Sequence, residues 1–222
     1  MLETKLQTMH NITDFKVVYI CPDHNEKYHT RKLHMDALLQ SMGFKDIVHF
    51  KSGNERYPIC LSKATKEIMI RYLDEPFLLV EDDIGITNIL EFTIPLDADA
   101  IYLGLSLCAS HPTEIRNAYY SKFEKYTADQ VKVINMLATH AVFYVSRKYK
   151  EAVIKAMDKS IEMDIVNDIC ISRIQKDYTI YANKIPSFYQ SDEFNKDFKY
   201  KPTVEQSTKI QIMEDLTLVP LI

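Results

Sequence analysis

Pro76-Phe77-Leu78-Leu79-Val80-Glu81-Asp82-Asp83-Ile84 decides how this chain is read. Consecutive large apolar residues run straight into three carboxylates. A short, uninterrupted apolar run reads as a strand covered on both faces, as in a largely parallel sheet. The acids then stand where that strand leaves the sheet, the edge at which open α/β sheets bind ligands. In an extended chain Glu81 and Asp83 point to one side and Asp82 to the other. Two carboxylates on one side repel each other unless a cation lies between them or water reaches both. A hard divalent ion with oxygen ligands suits such a pair and completes its shell with phosphate oxygens. The pattern predicts an acid-x-Asp metal site for a diphosphate, with Asp83 as principal ligand. The alternative is a solvated acidic turn after a core strand.

On the N-terminal side, Phe15–Cys21 is a β-rich run stopped by Pro22. A helix is expected from Thr30 as cap through Arg31–Met42, ended by Gly43, and a second strand at Ile47–Phe50. Pro58 suits the start of a helix reaching about Leu73. On the C-terminal side, Thr87 could cap a short segment through Phe92, and Ala100–Leu107 is another β-leaning run. Cys108–Asp129 has no period and is long enough to form a flap over a site. Val131–Leu137 and His140–Val145 read as two strands, a hairpin-like pair. Ser146 caps a helix through about Ile161, a further helix covers Asp164–Ile174, and Tyr178–Ala182 is the expected last strand. Strands alternating with helices predict an α/β fold, a single mostly parallel or mixed sheet flanked by helices, in one domain over 1–222.

Apolar residues make up 46% of the 222, so a sizeable core is expected. Lys plus Arg number 27 against 31 Asp plus Glu, a balance that does not suggest a nucleic-acid binder. The four cysteines, Cys21, Cys60, Cys108 and Cys170, form no CxxC pair, which argues for reduced thiols rather than zinc. With only four glycines, neither GxGxxG nor GxxxxGK[ST] occurs. Residues 1–11 do not read as a signal peptide, and no run approaches the ~20 apolar residues of a membrane span. A cytoplasmic, soluble location is the expectation.

Several motifs, in order, resemble the glycosyltransferase family twenty-five type of lipopolysaccharide and procollagen sugar transferases. They are Val18-Tyr19-Ile20, Arg31 and Met35, Cys60-Leu61-Ser62, Glu81-Asp82-Asp83-Ile84, Thr139 to Ser146, and Pro186-Ser187-Phe188-Tyr189-Gln190-Ser191-Asp192. The resemblance covers roughly residues 17–192 and leaves 193–222 as a C-terminal extension. Lys63 stands where the family commonly has histidine, and Ala138 and Thr139 where a glycine is usual. The resemblance implies a GT-A-like nucleotide-diphospho-sugar transferase fold and inverting transfer. The donor is then a nucleoside diphosphate sugar, UDP-linked by expectation, and the acceptor a glycan, lipid-linked sugar or protein. Manganese or magnesium is the implied ion.

Such chemistry needs a stabilised leaving diphosphate, a base for the acceptor hydroxyl, and both held in line. Glu81 is assigned to the ion, through water, or to the ribose. Asp82 is assigned to ribose or acceptor, or is a solvated turn acid. His140 either completes the metal shell or is a histidine satisfied by a backbone carbonyl. Asp164 and Asp168, four apart on one expected helix, share a face. One of them serves as general base, with Asp168 preferred because Ile169-Cys170-Ile171 follows it; a solvated helix face is the other reading. Arg31 is placed at the diphosphate or nucleotide, or at the surface. Tyr19 and Ile20 flank a base or belong to the core. Gln190 and Asp192 hydrogen-bond the sugar or acceptor, or lie in a plain loop. A non-catalytic nucleotide-sugar or carbohydrate-binding protein of the same fold is the rival function.

Overall fold

The computed structural model describes residues 8–111, 113, 117–191 and 208–221. Its central sheet has eight strands. They are β1 (Val17–Ile20), β2 (Ile47–Phe50), β3 (Phe77–Glu81), β4 (Ala100–Tyr102), β5 (Lys122–Lys125), β6 (Gln130–Asn135), β7 (Ala141–Tyr144) and β8 (Ile180–Asn183). The spatial order is β5-β6-β8-β4-β7-β3-β1-β2. Four long-enough helices flank it: α1 (Glu26–Met42), α2 (Ile59–Arg71), α3 (Arg147–Met163) and α4 (Asn167–Ile174).

Both faces of the sheet are covered, which is why its inner strands read as unbroken apolar runs. On one face Met35 and Leu39 of α1 pack on Val17, Tyr19, Leu78 and Val80. On the other, Ile68 and Met69 of α2, Val153 and Met157 of α3 and Ile171 of α4 pack on Val18, Phe77, Leu79 and Val142. β1 pairs in parallel with both β2 and β3, which lie on opposite sides of it. The chain therefore reverses its winding between β1 and β3. The helices α1 and α2 leave for opposite faces there, and a crevice opens at the carboxyl ends of β1 and β3.

β7 runs antiparallel between β3 and β4, with Ala141 opposite Val80. Its beginning, not its end, therefore meets that crevice. The sheet is mixed, with three parallel neighbours and four antiparallel ones, rather than mostly parallel. The segments expected as a hairpin, β6 and β7, are not partners, because β8 and β4 lie between them.

Other boundaries differ for local reasons. α1 begins at Glu26 because the Asn25 side chain accepts the Tyr28 N–H; Thr30 is inside the helix, its hydroxyl donating to the Glu26 carbonyl. Gly43, at φ 94, ends it in the left-handed region that glycine enters without strain. The helix expected over 164–174 is two elements: Asp164 adopts φ 54, ψ 46 and closes α3, and α4 starts at Asn167. Asp164 and Asp168 thus do not share a helix face. The chain also makes strands after β8, Phe188–Gln190 against Ile84–Ile86 and Ile210–Ile212 against Leu218–Pro220. The segment expected as a flap begins with Cys108–Ser110 paired to Asn117–Tyr119 and then supplies β5. All four cysteines are free thiols.

One buried cation fixes the approach to β3. Lys150 of α3 is fully enclosed and its Nζ donates to the carbonyls of Tyr72 (3.0 Å), Leu73 (3.2 Å) and Glu75 (2.5 Å), just past the end of α2. Burial lowers its pKa to about 8, so it is mostly charged at neutrality. Lys150→Met keeps the aliphatic bulk but leaves three carbonyls without their donor. It should cost about 3 kcal/mol, read as a lower urea midpoint at unchanged slope.

Candidate active site

The carboxyl end of β3 carries the acids into the crevice, and each goes a different way. Asp82 turns to α1, where Arg31 Nη1 donates to its Oδ1 at 2.9 Å, both side chains being buried. The Tyr28 ring lies 5.8 Å from that guanidinium. Beside them, at the end of β1, burial and then the Asp82 charge push the Cys21 thiol up to about 12, and it donates to the Tyr28 carbonyl. This thiol stays protonated and is no nucleophile.

Glu81 turns to the opposite side. Its backbone N–H donates to the His140 carbonyl at 3.0 Å, continuing the ladder with β7, and its Oε1 accepts the Thr139 hydroxyl at 3.2 Å. Its pKa is raised to about 8, first by desolvation, then by the charges of Asp83 and Asp168, with Asp82 adding less and the Thr139 bond opposing. Asp83, itself buried, is thus the strongest charge acting on Glu81, and its carbonyl accepts the Ser191 N–H at 2.7 Å. Asp168 completes the group from the first turn of α4. Desolvation raises its pKa, while the N–H of Ala138, 3.3 Å from Oδ2, works against that. Ala138 reaches it by taking φ 66, a left-handed backbone that costs an alanine on the order of 1 kcal/mol.

Glu81, Asp83 and Asp168 are therefore brought together. Arg31 and Asp82 are brought to the same crevice but paired with each other. Among the described residues no three His, Cys, Asp or Glu side chains converge tightly enough to hold a metal ion by themselves. Glu81 and Asp83 fit the sparser mode, in which one or two carboxylates hold a magnesium-like ion whose remaining ligands are phosphate and water. His140 stays out of that set. It is fully buried against Gly104, where a Cβ would come within 2.0 Å of its Nε2, and burial lowers its pKa to about 4.

The other expected site residues lie elsewhere or at the margin. Asp164 sits at the end of α3, 40% exposed at its side chain and ion-paired to Arg56. Tyr19 is core: its hydroxyl donates to Asp36 of α1 at 2.5 Å and its ring stacks on His49 at 4.9 Å. Ile20 packs with Phe50 in the other cluster. Neither offers a face to a base. Gln190 pairs with Ile84 directly after the acids, its N–H donating to the Thr208 hydroxyl at 2.7 Å. Asp192 lies outside the described residues.

Sequence reasoning gave no role at the acids to Ala138 and Thr139, and none to Tyr57 of the loop before α2. The signal available for the first two was their place just before a strand that starts at the ligand-binding edge. An open cavity of about 490 Å³ lies away from this corner, between Phe92, Gln130, Lys184 and Met213, and no acid of the group lines it. Concavity and crowded charge thus point to different places.

No family model and no curated protein matches the sequence. Solved structures give distant likenesses. A CTP:phosphocholine cytidylyltransferase from Streptococcus pneumoniae aligns over 83% of this chain and 97% of its own, at 10% identity and TM-score 0.39. A nucleoside-diphosphate-sugar pyrophosphorylase from Vibrio cholerae RC9 aligns over 84% and 81%, at 13% identity and TM-score 0.44. A glycosyltransferase involved in glycosylation of the major capsid of PBCV-1 aligns over 83% and 100%, at 8% identity and TM-score 0.36. The neighbours are nucleotidyltransferases and a glycosyltransferase; at these scores the likeness decides neither family nor activity. No helix among the described residues is long and apolar enough to cross a membrane.

The Glu81 proton has a measurable consequence. A carboxyl raised from 4.5 to about 8 holds its proton more tightly folded than unfolded, so it lowers stability as pH rises through that window. Glu81→Gln removes the penalty. With chelator present, the variant should exceed the parent protein by on the order of 3 kcal/mol above pH 8, the gap closing toward pH 5. Chemical denaturation across that pH range measures it.

Proposed function

We propose that this chain is a glycosyltransferase of GT-A type, moving a sugar from a nucleoside diphosphate donor, UDP-linked, to an acceptor hydroxyl on a glycan, lipid-linked sugar or protein. The observation that carries this reading is the convergence of Glu81, Asp83 and Asp168 at the crevice where the sheet reverses its winding. The crowding is costly as it stands, and a cation bound with a diphosphate relieves it.

In this reading Asp83 and Glu81 hold manganese or magnesium. When bound, the ion supplies Lewis-acid charge to the leaving diphosphate. Asp82, fixed by Arg31, shapes the floor on the α1 side. Asp168 accepts the proton from the acceptor hydroxyl; its raised pKa makes it a better base than an ordinary surface carboxylate. Backbone N–H groups of Ala138 and of the first turn of α4 hold its carboxylate in place. Inverting transfer, which the family resemblance implies, requires such a separate base. A cation held by Glu81 would take the place of its proton, so binding of UDP with manganese should release protons near neutrality.

The test is calorimetry with UDP, with and without manganese, followed by hydrolysis of UDP-sugars. Asp83→Ala should abolish manganese-dependent UDP binding and hydrolysis while the melting temperature stays within a few degrees. Asp168→Asn should keep UDP binding and slow turnover by about 10²–10⁴-fold. Unchanged turnover in Asp83→Ala would remove the reading. Binding of UDP-sugars by the unaltered protein with no hydrolysis or transfer would favour the non-catalytic rival.

A further inference from the structure

Tyr57 has no role in the scheme above, yet it stands at the mouth of the acid corner. It lies in the loop between β2 and α2 and is 60% exposed, high for an aromatic residue. The loop is fastened on either side of it. Arg56, its neighbour, is ion-paired with Asp164 at the α3–α4 junction, and Glu55 pairs with Lys63 of α2 at 2.7 Å. β2 runs parallel to β1, as β3 does, so this loop leaves the sheet at the same carboxyl edge as the acids, and the Arg56–Asp164 pair ties it to the junction from which α4 carries Asp168. Its phenol is accordingly held above its ordinary pKa, by desolvation first, then by the charges of Asp168 and Glu81, with Asp83 also contributing. The ring is thus open to solvent and the phenol stays protonated beside the acid corner.

Resting on the transferase reading, we propose that Tyr57 is a specificity-determining wall of the site: its ring packs against the apolar C–H face of the sugar held between Glu81–Asp83 and Asp168, and the Arg56–Asp164 ion pair is the latch that keeps it there. The sugar is the fitting partner because it is the group that must lie between diphosphate and base. The nucleobase belongs on the far side of the diphosphate from Asp168. A tyrosine ring offers a large, rigid apolar surface with few torsions to freeze, and its hydroxyl adds a directional contact. The latch also gives Asp164 a use: it positions Tyr57 and touches no reacting atom.

The sequence contains no tryptophan, so Tyr57→Trp places a lone indole at the wall. Its emission should shift or quench when UDP-glucose, UDP-galactose or UDP-N-acetylglucosamine is added with manganese, for whichever of them the protein binds. UDP with manganese should leave it nearly unmoved. Tyr120→Trp, 63% exposed in another loop, should respond to none of them. In kinetics, Tyr57→Ala should raise the KM for UDP-sugar hydrolysis about tenfold with kcat little changed, the sign of binding lost equally from ground and transition states. Tyr57→Phe should restore most of it, and Asp164→Asn should reproduce part of the rise. Calorimetry on the unaltered protein separates the failures. If it binds a UDP-sugar while the Tyr57→Trp emission stays mute, or responds equally to UDP, this proposal is overturned and the transferase reading stands. If it binds neither UDP nor any of the three sugars, both fall together.

Discussion

Like charges crowded at the carboxyl end of one buried strand set the terms for this molecule. Asp83, Asp168 and Asp82 all act on Glu81 there, and the fold deals with these acids unequally. Asp82 is neutralised by Arg31 of α1 in a buried pair. Glu81 is neutralised by a proton, which it keeps up to about pH 8. What Arg31 does permanently on one side of the strand, a proton does provisionally on the other. A provisional partner is exchangeable, and a group that swaps a proton for a cation near neutrality couples ligand binding to pH. A merely solvated acidic turn would leave Glu81 near its ordinary value, since water screens such charges well.

The sheet's mixed topology makes this corner possible. In an all-parallel sheet the strand next to β3 would present its last residue beside Glu81. Here β7 runs the other way and presents its first, so the residues leading into it, 138–140, arrive at the ligand-binding edge. They supply the Thr139 hydroxyl to Glu81 and the Ala138 N–H to Asp168. The left-handed turn at Ala138 is what directs that N–H, and an alanine tolerates it only because its surroundings hold it there. Lys150 performs a comparable service from behind, tying α3 to the turn that feeds β3.

The strand and its acids were legible in the sequence because burial on both faces writes itself as an apolar run and the change to Glu-Asp-Asp is abrupt. The caps at Gly43 and Ser146 were legible for the same local reason. Partner order was not, since β6 and β7 are close in sequence but two strands apart in space, and nothing local records that. Asp164 and Asp168 looked like one helical face because i, i+4 spacing says nothing about a left-handed residue between two helices. Tyr19 could not be told from a base-stacking residue because in a strand buried on both sides alternation carries no signal; only its bond to Asp36 reveals which way it points. Tyr57 gave no sequence signal at all, as its position comes from an ion pair across 108 residues.

His140 does not offset the Glu81 carboxyl, and burial is the reason. It stands level with Glu81 across the β3–β7 ladder, where an imidazolium would offset the acids directly. Instead the ring is pressed against Gly104, the position whose missing side chain makes room for it, and desolvation drives its pKa down to about 4. A charged histidine there would lower the Glu81 pKa. Burial keeps it neutral across the whole window in which Glu81 titrates, and Arg31 is turned to the other side of the strand. The fold thus keeps His140 uncharged and Arg31 on Asp82, so of these two neighbours neither offsets the Glu81 carboxyl, and its charge is met by a proton instead.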